Sequence, residues 1–145
     1  MALTLRFIIP GAPQAKQRTR QTSTGKRYTP AATREFEDRV ALVARNSIGL
    51  VPPLEGPVAV DVVVVLARPK TPTRGHATYG TTQRTWCAKR PDIDNLAKSL
   101  LDGIGLAVLW KDDKQVVSLS MLKVYGAVGE EAHTEVTIQP LKGLP

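Results

Sequence analysis

Acidic residues are concentrated in one short stretch of this chain and are the first candidates for chemistry. The stretch contains Asp92, Asp94, Asp102, Asp112 and Asp113. Carboxylate oxygens are the ligands that hard divalent cations such as Mg²⁺ prefer, and Mg²⁺ keeps waters that substrate phosphate can replace. A metal centre built from some of these aspartates would allow hydrolysis of a phosphate ester.

Spacing narrows the set of candidate ligands. Apolar residues recur with helical period from Ile93 to Ile104, which places Asp92 and Asp94 at the beginning of a predicted helix. At a helix start the two carboxylates can share one side, and Lys98 lies one turn beyond Asp94. Asp102 is two turns beyond Asp94, too far to share a small metal centre easily.

Each of these residues also has a purely structural interpretation. Asp92 fits an N-cap and Asp94 a first-turn acid that the helix dipole favours. Asp112 and Asp113 fit a turn before a strand, and Lys98 fits a solvated helix lysine. Spacing alone leaves both interpretations open.

The charge of the whole chain favours nucleic acid as a partner. Lys and Arg number 20 against 13 Asp and Glu, giving a formal net charge of +7. Two loop-like stretches, 14–29 and 68–90, carry basic residues and no acidic residue, and we call them the basic loops. Their candidate contacts to the DNA backbone are Lys16, Arg18, Arg20, Lys26, Arg27, Arg68, Lys70, Arg74, Arg84, Lys89 and Arg90.

Hydrophobic patterning predicts the elements that position these residues. Predicted strands cover Leu3–Ile9, Val58–Ala67, Gln115–Tyr125 and Ala132–Gln139. The first helix follows Thr29 as N-cap, carries Phe36, Val40, Val43 and Ser47 on one stripe, and ends near Gly49; Gly103 and Gly105 bracket the end of the second. The order β-α-β-α-β-β predicts one α+β domain over residues 1–145, with two main helices on a mixed sheet.

Two motif blocks resemble the signature of the RusA family of Holliday junction resolvases. The first is the run RPDIDNLAK from Arg90 to Lys98, and the second is WKDDKQVV from Trp110 to Val117. The family pattern is a D-x-D-N-L-x-K helix start followed by an acidic pair before Q-V-V. The N-terminal blocks Gly11–Pro13 and Gly25–Pro30 are similar to phage-type members, which places the protein in a bacterial cell and favours a phage or prophage gene over a gene of the bacterial chromosome.

The resemblance implies a homodimeric endonuclease that depends on Mg²⁺, for which Mn²⁺ can substitute. Such enzymes cut branched DNA at four-way junctions in recombination and repair. By resemblance, Asp92, Asp94 and Asp113 bind the metal, Lys98 is the catalytic lysine, and Asp112 is a weaker candidate for a ligand.

Three other functions remain compatible with the residues. One is a nuclease for flaps or forks that uses the same centre, and another is a DNA-binding module whose aspartates are caps and turns. The third is a metal-dependent enzyme that acts on nucleotides. Cys87 is the only cysteine, which fits a reducing compartment such as the cytoplasm, and the apolar segment Leu3–Ile9 is too short to span a membrane.

Overall fold

A computed structural model describes residues 3–143 of the chain. Two helices and a five-stranded mixed sheet confirm the predicted α+β fold. The elements are β1 (Leu5–Pro10), β2 (Arg20–Gln21), β3 (Arg27–Tyr28), α1 (Ala31–Ile48), β4 (Val58–Leu66), β5 (Thr85–Trp86), α2 (Ile93–Leu106), β6 (Val116–Tyr125) and β7 (His133–Pro140). A short 3₁₀ turn, Asp113–Gln115, leads into β6.

Strand β4 lies at the centre of the sheet, whose strand order is β1-β7-β4-β6-β5. It runs parallel to β6 and antiparallel to β7. Its near-continuous run of valines fits a strand that is covered on both sides, although Asp61 is exposed. The sheet is therefore mixed, as the element order predicts.

Both helices contribute to one hydrophobic core that includes Val60, Val62 and Val64 of β4. Helices α1 and α2 pack closely because Gly103 of α2 has no side chain. A Cβ on Gly103 would stand only 2.7 Å from the Cβ of Val40 in α1. The prediction that Gly103 and Gly105 mark the end of the helix was wrong, since α2 continues through both to Leu106.

Two details of α1 also differ from the prediction. Pro30, rather than Thr29, occupies the N-cap position, and no side chain caps the helix there. Ala44 and Ile48 are buried in line with Phe36, whereas Ser47 is exposed. The 3.6-residue period favours positions 44 and 48 over 43 and 47 once the face is fixed by packing against α2.

Strand β6 leaves most of one edge without a strand partner. Strand β5 pairs only with Val124 and Tyr125. Among residues 3–143, no strand pairs with the outer edge of β6 from 116 to 122. Val117, Leu119 and Leu122 are exposed along this edge, an arrangement that favours pairing with another chain.

Within the described part of the chain, neither helix is long and apolar enough to cross a membrane.

Candidate metal centre and DNA interface

Asp92 and Asp94, which we call the aspartate pair, lie together at the N-terminus of α2. Asp92 holds the N-cap position with an extended backbone, and Asp94 is in the first turn. Both are exposed and line a depression of about 500 Å³ together with Met121–Lys123 of β6. The positive end of the helix dipole stabilises negative charge at this position.

The carboxylates of the aspartate pair are free of internal cations. Asp92 makes no side-chain capping bond although it occupies the N-cap. No Lys, Arg or His among residues 3–143 forms a salt bridge with either aspartate. Exposed carboxylate oxygens with open space around them are donors that suit Mg²⁺, which retains several waters when bound. The aspartate pair therefore fits the Mg²⁺ ion that the sequence resemblance implies.

Asp113 lies at the opposite end of α2. Its Oδ1 accepts a hydrogen bond of 2.9 Å from Nε1 of the buried Trp110 and lies 3.5 Å from the point where a Cβ would stand on Gly105. Asp94 and Gly105 are eleven residues apart in one helix, which corresponds to about 16 Å along its axis. A single copy of the chain therefore does not bring Asp113 to the aspartate pair.

The remaining acidic candidates have structural roles in the chain. Asp112 caps the 3₁₀ turn, because its carboxylate accepts a 2.9 Å hydrogen bond from the backbone N–H of Lys114. Asp102 forms a 2.9 Å salt bridge with Lys16. Lys98 is exposed on α2, one turn beyond Asp94, and is free to reach a ligand held there.

Lys123 is a residue of this site that sequence reasoning missed. Its Nζ donates hydrogen bonds to the carbonyl oxygens of Lys89 at 2.5 Å and Pro91 at 2.7 Å. The ammonium group therefore ties β6 to the segment that leads directly into Asp92. The sequence offered one signal for this role, a single lysine within an apolar strand. It could not show the partners, because the carbonyl groups that accept from Lys123 are more than thirty residues away in sequence.

Three of the eleven predicted DNA-contacting residues are engaged within the protein. Lys16 bridges Glu37 and Asp102, and Arg68 donates to backbone carbonyls of the second basic loop and of Gly126. Arg84 is held by two glutamates. The other eight are exposed: Arg18, Arg20, Lys26, Arg27, Lys70, Arg74, Lys89 and Arg90.

A second ionisable group, the arginine-centred cluster, consists of Arg84, Glu130, His133 and Glu135. Arg84 Nη2 lies 2.5 Å from Glu130 Oε2 and 2.7 Å from Glu135 Oε2, and His133 Nε2 lies 2.8 Å from the same Glu135 oxygen. The hydrogen bonds from Arg84 and from the backbone of Ala127 lower the pKa of Glu130 to about 2.

The acids of the arginine-centred cluster are close enough to hold a metal, but a cation is already among them. One donor atom from each of Glu130, His133 and Glu135 lies within 4.8 Å of the other two. The guanidinium of Arg84 donates to both carboxylates and compensates one of their two negative charges. Desolvation alone would lower the pKa of His133, and the hydrogen bonds to Glu131 and Glu135 raise it overall.

Comparison with known proteins agrees with the two motif blocks. The family model described as Endodeoxyribonuclease RusA matches residues 10–139, which include both blocks. The chain is also similar to the uncharacterized protein YqaN of Bacillus subtilis (strain 168), with 33% identity over 143 residues that cover 93% of this chain and 95% of YqaN. The fold and site define an α+β protein with an open acidic pair beside basic loops. The chain belongs to the RusA endodeoxyribonuclease family, as the resemblance indicated.

Proposed function

We propose that this protein is a Mg²⁺-dependent endodeoxyribonuclease that resolves four-way junctions by paired, symmetric nicks during DNA recombination and repair. The observation that carries the proposal is the uncompensated aspartate pair at the N-terminus of α2 in a chain of the RusA family. Carboxylates without an internal cation leave their oxygens available to a divalent ion, and the net charge of +7 attracts DNA to the chain that carries them.

The chain supplies a distinct role for each residue near the aspartate pair. A divalent ion held there would lower the pKa of a water and offset charge that develops on the phosphate. Lys98, one turn further along α2, orients the scissile phosphate and stabilises its charge in the transition state. Lys123 fixes the segment before Asp92, so that the first carboxylate keeps its position relative to Asp94.

The exposed residues of the basic loops hold the DNA. The eight side chains without an internal partner contact phosphates, which sets the position of the substrate without reading sequence. Lys16, Arg68 and Arg84 support this surface indirectly, because their charges hold α1, α2, β7 and the second basic loop in place.

We further propose that two copies of the chain complete each metal centre. Asp113 is too far from the aspartate pair of its own chain, and the edge of β6 between them is free. If the free edges of two β6 strands paired antiparallel around Leu119, residue 116 of one copy, three residues after Asp113, would lie opposite residue 122 of the other. That position is close to the second copy's depression, which residues 121–123 and its aspartate pair line.

A two-fold dimer also fits the substrate. A four-way junction has two strands to cut at symmetric positions, and a two-fold pair of centres can meet both. A homodimer formed through β6 would therefore explain two features at once: the distance between Asp113 and the aspartate pair within one chain, and the paired nicks in the junction.

The direct test is cleavage of a labelled four-way junction beside a matched flap and a linear duplex, with Mg²⁺, Mn²⁺ or chelator. Asp94→Asn is the site variant, and Asp102→Asn is the control on the same helix, because Asp102 pairs with Lys16 instead. We expect symmetric nicks in the junction that chelator and Asp94→Asn abolish and that Asp102→Asn keeps. Equal cutting of the flap would remove junction selectivity, and tight junction binding without cutting would mean that the aspartates are structural.

A further inference from the structure

An exposed tryptophan stands beside the aspartate pair. Trp86, at the end of β5, is 67% exposed and lines the same depression as Asp92 and Asp94. The other tryptophan, Trp110, is 2% exposed and donates its indole N–H to Asp113. An indole ring left in water forgoes the stabilisation that its burial would supply, so Trp86 is a candidate for contact with a ligand.

The backbone that carries Trp86 is fixed on both sides. Trp86 pairs with Val124 of β6, and the backbone N–H of the buried Cys87 donates to Lys123 O at 3.1 Å. Upstream, Arg84 is held by two glutamates of the arginine-centred cluster. The indole is therefore presented from a strand with ordered neighbours, which reduces the entropy lost when it meets a partner.

The surroundings of Trp86 favour nucleic acid as that partner. Lys89 and Arg90 follow it in the chain and are exposed, and Lys98 is exposed on α2 one turn beyond Asp94. Cations can hold the phosphates on either side of a base, while the flat indole ring offers a surface for the base itself. Bases inside a linear duplex are stacked on one another, so a base becomes available only where the helix is interrupted.

We propose that Trp86 stacks on a nucleobase that leaves its helix at the branch point, next to the phosphate held at the aspartate pair. This inference rests on the proposed function. It adds that the site recognises branched DNA through an unstacked base at the branch point. Stacking on an aromatic ring tolerates any base, so Trp86 selects an unstacked base rather than a sequence. The contact makes an interrupted helix a better substrate than a continuous one.

Intrinsic fluorescence tests the contact directly, because the chain has only two tryptophans. The experiment uses the Asp94→Asn protein with Ca²⁺ so that DNA is bound and not cut, and Trp86→Phe in the same background isolates the signal of Trp110. We expect a saturating four-way junction to quench Trp86 strongly and a saturating linear duplex to quench it weakly. An abasic nucleotide at the branch point should remove the quenching. Equal quenching by junction and duplex would overturn the proposal.

Affinity measurements with two further variants separate stacking from folding and from dimer contact. Trp86→Ala should weaken junction binding roughly fivefold to a hundredfold and leave duplex binding unchanged, while Trp86→Phe keeps most of the affinity. Wild-type junction affinity in Trp86→Ala, or loss of the dimer in sedimentation, would overturn the proposal. If Trp86→Ala does not fold, Trp86→Phe and the fluorescence result decide.

The outcomes also distinguish this inference from the proposed function. If the wild type cut junctions but Trp86 were not quenched, the nuclease function would stand and the stacking contact would be contradicted. If junctions quenched Trp86 but the wild type did not cut them, the stacking contact would stand and the nuclease function would be contradicted.

Discussion

Two groups of acidic residues in this protein have opposite surroundings. One is the aspartate pair at the N-terminus of α2, and the other is formed by the glutamates of the arginine-centred cluster, in and before β7. The aspartate pair has no salt-bridge partner within residues 3–143. The carboxylates of the arginine-centred cluster share one guanidinium at 2.5 and 2.7 Å. By donor distances alone, the second group fits a metal better than the first.

Under the proposed function, this difference means that charge compensation is a better guide to the metal centre than the closeness of the ligands. In the arginine-centred cluster the chain already supplies the cation, and the acids connect the second basic loop to β7. At the aspartate pair the chain supplies none, so an ion from solution gains the whole attraction.

The largest expected effect is on catalysis. Asp94→Asn should lower junction cleavage by more than about a hundredfold, because loss of a direct ligand exceeds the effect typical of its supporting residues. Glu130→Gln, the matched change in the other group, should leave cleavage within about twofold. Initial rates at saturating junction, with junction affinity measured separately, check both variants. Comparable losses in the two would mean that the arginine-centred cluster takes part in the chemistry.

A smaller catalytic effect is expected at Lys123. Lys123→Met removes both hydrogen bonds to the segment before Asp92 and should lower cleavage roughly tenfold, as for residues that orient metal ligands. Lys123→Arg keeps a donor and should recover part of the rate. Titration of bound Mn²⁺ by electron paramagnetic resonance provides a second measurement, in which Lys123→Met should need more metal. An unchanged Mn²⁺ affinity would reduce Lys123 to a purely structural residue.

Removing Arg84 should convert the second group into a metal site. In Arg84→Met, Glu130 and Glu135 lose their internal cation, and we expect a loss of about 1 kcal/mol of stability because the group is partly exposed. Zn²⁺ should then raise the melting temperature of Arg84→Met and leave that of the wild type nearly unchanged. Equal stabilisation of the wild type would show that Arg84 does not exclude metal.

The pH dependence of stability gives the smallest effect. Glu130 has a pKa of about 2 against an ordinary 4.5, so its contribution is present above pH 4.5 and is lost as the pH falls toward 2. The pKa of His133 is raised above 6.5, so its contribution is present below pH 6.5 and is lost as the pH rises. The cluster should therefore stabilise most between about pH 5 and 6.5.

Urea unfolding of the wild type and Glu130→Gln from pH 7 to pH 3 checks the acid side of that window. The difference in unfolding free energy between the two proteins should shrink as the pH falls below 4.5. A difference that grows toward pH 3 would have the wrong sign for a glutamate whose pKa is lowered.

The sequence alone predicted the main strands and both helices, because their apolar periods depend on local packing faces. It failed at Gly103, whose place inside α2 depends on the close approach of Val40 from α1. It also could not show that Arg84 meets two glutamates or that Lys123 holds distant carbonyls, since these contacts join segments that are far apart in the chain. Hydrophobic patterns in the sequence predict helices and strands well, whereas the partners of charged side chains can be seen only in the folded structure.

In the proposed function, two copies of the chain share each metal centre, with the aspartate pair from one copy and Asp113 from the other. Asp94→Asn and Asp113→Asn proteins should each fail to cut a four-way junction alone. When the two are co-expressed, a mixed dimer with shared centres has one centre that carries both changes and one that is intact. We therefore predict that the mixture recovers single-strand nicking but not paired cleavage. No recovery, with mixed dimers verified by two different tags, would contradict the shared centre.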